Sequence, residues 1–114
     1  MDPVGMFFAL AVFHALADFP LQGDYIARQK NPASADGRSE MVVALGAHSL
    51  IHAGAVWLVT GSKTLGCVEL LLHSAIDIGK GNRRFGILTD QFLHLLCKAV
   101  YVIVLAGSLR SLVE

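Results

Sequence analysis

The sequence predicts an all-α fold: a single domain spanning residues 1–114, built as a bundle of four transmembrane helices with a polar, metal-binding core near its cytoplasmic end. Three observations predict it. Four segments, Pro3 to Phe19, Glu40 to Val59, Thr64 to Gly79 and Thr89 to Leu109, are apolar over most of their length. The second and fourth are about 30 Å long as helices and the other two about 25 Å, which brackets the hydrocarbon thickness of a bilayer. The ionisable residues inside these segments are arranged in pairs four residues apart, one pair on each segment.

A soluble bundle would need a polar outer face on every helix. The stretch LLCKAVYVIVLAGSL has Lys98 as its only charge, and the segment after Glu40 is equally bare. An apolar fraction of 54% with 16% charged residues agrees with a membrane chain. A formal net charge of zero gives no electrostatic case for nucleic acid. The lipid bilayer is therefore the expected partner, and nothing in the sequence fixes an oligomeric state.

The first segment opens on Pro3, which suits the first turn of a helix, and ends at Pro20. Met1-Asp2 carries no Lys or Arg and His14 interrupts the apolar run, so this reads as a span and not as a cleaved leader. The mixed stretch LQGDYIARQKN suits the headgroup region, and residues 31–40 form a surface loop in which Asp36 or Ser39 caps the next helix. The second segment carries His48 and His52, small residues Gly46, Ala47, Ala53 and Gly54 for close helix packing, and Trp57 at the aromatic belt. A tight turn at residues 60–63 leads into the third. Cys67 and Cys97 lack any paired spacing and are expected to be packing residues.

Six of the nine Lys and Arg residues lie in two connections, Arg28, Lys30 and Arg38 in one and Lys80, Arg83 and Arg84 in the other. With four spans these connections share a face. The positive-inside rule puts loops 20–39 and 80–88 in the cytoplasm and both termini outside.

All five histidines and three of the six aspartates fall into the pairs His14/Asp18, His48/His52, His73/Asp77 and Asp90/His94. Residues at i and i+4 share a helix face, so each pair is aimed one way. The short connection between the third and fourth segments forces them antiparallel. Asp77 with Asp90, His73 with His94 and Glu69 with Lys98 are then each equidistant from the point between Arg83 and Arg84, so the three pairs lie level. A similar symmetry about Ala33 sets His14 level with His52 and Asp18 with His48, though the long connection leaves that register free.

Ionisable groups near the centre of a span cost about 2.5–3.5 kcal/mol each, so eight of them require partners or a bound ion. Imidazole and carboxylate suit zinc, manganese or iron, and facing helices of a bundle are a known way to build such a site. Taken singly, each pair reads as hydrogen-bonded core polarity; four matched pairs point to one or two divalent ions. Asp77 and Asp90 are the expected bridging and catalytic carboxylates, and Lys80, Arg83 and Arg84 the expected contacts to an anionic headgroup. Glu69 and Lys98 are expected to neutralise each other as a buried ion pair.

The motifs His14-Ala-Leu-Ala-Asp18-Phe-Pro-Leu-Gln22, His48 with His52, Leu72-His73-Ser-Ala-Ile-Asp77-Ile-Gly-Lys80 and Asp90-Gln91-Phe-Leu-His94 resemble those of the domain of unknown function 3307 family of small prokaryotic and phage membrane proteins. The resemblance covers nearly the whole chain and implies a prokaryotic inner-membrane protein, with no established activity to carry over. Leu72 to Asp77 is also similar to a helix motif of the membrane-bound metal-dependent hydrolases. Two functions are therefore expected to compete: a metal-dependent hydrolase acting on a lipid or lipid-linked ester or phosphoester, and a non-enzymatic metal-binding or structural membrane protein serving a larger assembly. A transporter fits less well, because beyond Glu69 and Lys98 the outer half offers mainly apolar side chains.

Overall fold

The computed structural model describes residues 1–114 as helices without strands: α1 (Pro3–Asp18), α2 (Asp24–Gln29), α3 (Arg38–Thr60), α4 (Lys63–Gly81), α5 (Ile87–Ala106) and a closing 3₁₀ turn at Arg110–Leu112. Local chemistry sets several of these ends. The Asp2 carboxylate accepts from the Gly5 amide at 2.7 Å and Pro3 occupies the first turn of α1. Gly61, at φ 73°, closes α3 in the left-handed conformation that glycine adopts without strain. Ser62 then caps α4 by accepting from the Leu65 amide at 3.0 Å. The expected cap of α3 by Asp36 or Ser39 does not form: Gly37 holds that position with no side-chain cap. Asp36 is engaged elsewhere, accepting from Arg28 at 2.9 Å and from Gln29 at 2.6 Å.

The four long helices alternate in direction and close into a ring in which α1 packs on α3 and α5, and α4 on α3 and α5. Arg28, Lys30, Arg38, Lys80, Arg83 and Arg84 therefore gather at one end of a molecule 44 Å long, and Lys63 and Arg110 at the other. α3 and α4 pack tightly at Gly66, where an added Cβ would lie 3.0 Å from the Ala53 carbonyl oxygen. Of the small residues expected to serve this packing, Ala53 does so, while Gly46 and Ala47 face outward because their side of α3 meets no neighbouring helix. A Cβ on Gly81 would lie 2.7 Å from Pro32, so glycine is what lets the loop after α2 lie against the end of α4.

The distribution of polarity is inverted relative to a soluble bundle. Thirteen of the 24 buried residues are polar or charged, whereas Phe8, Val43, Leu58, Leu71, Phe92 and Ile103 are each more than 60% exposed. Water around such a molecule would meet apolar side chains and leave ionisable ones dry, the reverse of the hydrophobic driving force. An apolar core of Leu10, Val56, Leu65, Tyr101 and Val102 lies toward one end, and Ala17, Ala44 and Leu45 are buried apart from it.

By length and composition two helices, α3 and α5, suffice to cross a membrane. The sequence expectation was four; α1 has only 16 residues, and α4 carries Lys63, Glu69, Asp77 and Lys80 along its 19. Both cysteines are free, and Cys67 is exposed instead of packed.

Candidate metal centre

The four i, i+4 pairs meet on the bundle axis. Side chains of α1 and α4, which do not touch as helices, approach there: His14 and His73 have ring centroids 6.0 Å apart, and on the other diagonal His52 and His94 are 6.4 Å apart. His73 stacks on His52 at 3.7 Å and on His94 at 4.2 Å. All five histidines are at most 3% exposed, and Asp18, Asp77 and Asp90 at most 8%. The level pairings expected from the short connection hold for His73 with His94 and for Glu69 with Lys98, whose ammonium donates to the Glu69 carboxylate. The symmetry about Ala33 also holds, with His48 Nε2 3.1 Å from Asp18 Oδ1 and the His14 and His52 rings 5.1 Å apart.

Asp77 and Asp90 meet through His94, whose Nε2 lies 3.2 Å from Asp77 Oδ1 and 3.4 Å from Asp90 Oδ1. Three sets of side chains have ligand atoms that all lie within 4.8 Å of one another: Asp18, His48, His52 and His73; His14, His73 and His94; and Asp18, Asp90 and His94. Asp77 belongs to none of them. Its Oδ2 instead accepts from the Lys30 ammonium at 2.8 Å.

Around Asp18 three imidazole nitrogens gather on one carboxylate oxygen. Its Oδ1 is 3.0 Å from His52 Nε2, 3.1 Å from His48 Nε2 and 3.8 Å from His73 Nε2. A tetrahedral ion with bonds of about 2.0–2.1 Å separates its ligands by about 3.3–3.4 Å, and these distances straddle that value. His52 Nε2, His73 Nε2 and Asp90 Oδ1 are buried without any hydrogen-bond partner. Unsatisfied polar atoms in such numbers are costly and call for an explanation.

Charge adds to the case. Asp18, Glu69, Asp77 and Asp90 are all buried, yet only Lys98 and Lys30 pair closely with any of them. The Lys80 ammonium stands 3.8 Å from Asp90 and no Lys or Arg reaches Asp18. A cation at Asp18, either a proton on an imidazole or a metal ion, would balance the site.

The family comparison matches the chain over residues 6–114 to the family described as Protein of unknown function (DUF3307). The chain belongs to that family. The matched span contains every residue of the polar axis, from His14 to Tyr101, so the site is part of what the DUF3307 match covers. No curated protein and no solved structure matches the chain. The likeness of Leu72–Asp77 to the membrane-bound metal-dependent hydrolases finds no support in these comparisons.

Of the three expected headgroup contacts, Arg83 and Arg84 are exposed, and Lys80 leans toward Asp90. Lys30 and Gln91, in the sequence only a basic loop residue and a motif position, also join the site. The Gln91 amide donates to Asp18 Oδ2 at 2.9 Å and to Asp90 Oδ2 at 3.0 Å, and its Oε1 is 3.0 Å from His14 Nε2. Gln91 thus joins three of the eight paired residues. Its place within the Asp90-Gln91-Phe-Leu-His94 motif was the signal available. Lys30 gave none, because a lysine in a mixed loop looks like solvated charge until Gln29, fully buried and bound to Asp36, turns the chain inward.

Proposed function

We propose that all four long helices cross the bilayer, that their shared polar axis holds one or two divalent ions, and that the protein hydrolyses a lipid or lipid-linked ester or phosphoester. The observation that carries this is the convergence of three imidazole nitrogens on Asp18 Oδ1 at 3.0–3.8 Å, with two of them otherwise unpartnered. Asp18, His48, His52 and His73 would hold the first ion. A nitrogen-rich set with one carboxylate favours zinc, with manganese or iron as alternatives. Such an ion makes hydroxide available from water near neutral pH. Asp77 and Asp90, on either side of His94, are the carboxylates available to take a proton or to join a second ion.

Access supports a reaction at the loop end. A cavity of about 180 Å³ lined by Gln22, Lys30, Asn31, Asp77 and Lys80 opens beside the polar axis. Lys30 and Lys80 are suited to meet an anionic headgroup there, and Arg83 and Arg84 stand exposed beyond them. The exposed apolar faces of α1 and α4 support their crossing the bilayer with α3 and α5, and the six basic residues at one end support a cytoplasmic position for it in a prokaryotic inner membrane.

One observation favours the alternative of a non-enzymatic metal-binding or structural protein: the ligand set is almost wholly buried, as in closed structural sites. Reconstitution in vesicles with zinc, followed by release of product from lipid-linked ester and phosphoester substrates, separates the two. Turnover that is lost in H73A and H94A supports hydrolysis. Stoichiometric metal with no turnover on either substrate class supports the alternative.

A further inference from the structure

Glu69 lies one helical turn from the ion-binding level, and an ion pair with Lys98 does not exhaust its contacts. Its Oε1 accepts from Lys98 and lies 3.2 Å from His73 Nδ1, while its Oε2 accepts from the Tyr101 hydroxyl at 2.7 Å. Glu69, Lys98 and His73 are each at most 1% exposed, so water does not replace these bonds. A carboxylate only accepts, so the Nδ1 facing it must carry the proton. In a neutral imidazole the lone pair is then on Nε2. That nitrogen points to the cluster, 3.8 Å from Asp18 Oδ1 and 3.5 Å from Asp77 Oδ2, with no hydrogen-bond partner.

We infer that Glu69, held by Lys98 and Tyr101, is a positioning residue for the metal centre that fixes the tautomer and ring plane of His73 and so presents Nε2 as a ligand. The inference rests on the proposed metal reading. It explains why an ion pair is retained in an apolar setting, where a pair of apolar residues is often at least as stable. Lys98 and Tyr101 point both Glu69 oxygens, one toward each donor, leaving the carboxylate no freedom to release His73. Carboxylates placed behind a ligating histidine orient it and raise its basicity, and their loss usually costs 10–100-fold in metal affinity.

Two measurements test this on the full chain in detergent. The first is nitrogen NMR of the metal-free protein with labelled histidine, assigned through H73Q. His73 is expected as the Nδ1-protonated tautomer; an Nε2-protonated ring overturns the inference whatever the metal result. The second is zinc affinity by competition with a chromogenic chelator. E69L/K98M, which removes both charges together, is expected to bind zinc about 10–100-fold more weakly than wild type. E69Q/K98M keeps an acceptor for Nδ1 and is expected to lose less. Wild-type affinity in E69L/K98M overturns the positioning role, whereas failure of the wild type itself to bind zinc, manganese or iron overturns the metal reading on which it rests.

Discussion

Replacing Lys98 by methionine should destabilise the protein by about 3–5 kcal/mol, the usual cost of stranding one member of a buried ion pair. The structure accounts for the size of the effect. Lys98 is 1% exposed, and its ammonium donates to a Glu69 carboxylate that is equally buried. After K98M that carboxylate retains Tyr101 and His73 as donors but no cation. E69Q alone strands the ammonium and should cost a similar amount. In E69Q/K98M neither charge remains, and the carbonyl of the introduced glutamine can still accept from Tyr101 or His73. The double variant should then lie within about 1–2 kcal/mol of wild type, where independent effects would sum to about 6–10 kcal/mol. Reversible unfolding in mixed detergent micelles, followed by helical ellipticity, reads all four corners of this cycle. Additive losses would refute the pairing and the shared burial on which it depends.

Other perturbations probe separate parts of the architecture. Q91L leaves Asp18, Asp90 and His14 each short of a partner, at about 1–3 kcal/mol per stranded group, so the same unfolding assay should show a loss above about 3 kcal/mol. G81V sets a branched side chain against Pro32 and should cost about 1–3 kcal/mol, while G54A, which faces open space in the interior of α3, should cost nothing and raise stability by up to about 1 kcal/mol. A reporter fused after Glu114 should be found outside the cytoplasm, since six basic residues lie at the opposite end of the bundle; a cytoplasmic signal would overturn the proposed orientation.

Much of this arrangement was legible before any coordinates. The i, i+4 pairs gave four polar stripes, and the short connection at residues 82–86 fixed the register of α4 against α5 well enough to match His73 with His94 and Glu69 with Lys98. At Asp77 and Asp90 the same symmetry brought the two carboxylates to one level, but it could not show that the His94 ring stands between them. The pairing of Lys30 with Asp77 was not legible because its inward turn involves Gln29, Asp36 and the glycine at 81, none of which forms a periodic pattern. Gln91 and Tyr101 were hidden for a related reason: a single polar residue beside an apolar stripe declares its partners only through long-range packing.

The most direct test of the central claim is elemental analysis of the detergent-purified protein after growth with zinc, manganese and iron supplied. Wild type and K63A should each carry roughly one to two equivalents of one of these metals, with H73A carrying essentially none and H94A no more than the ion assigned to Asp18, His48, His52 and His73. A wild-type protein that is folded yet metal-free, or an H73A protein that retains the wild-type metal content, would contradict the account.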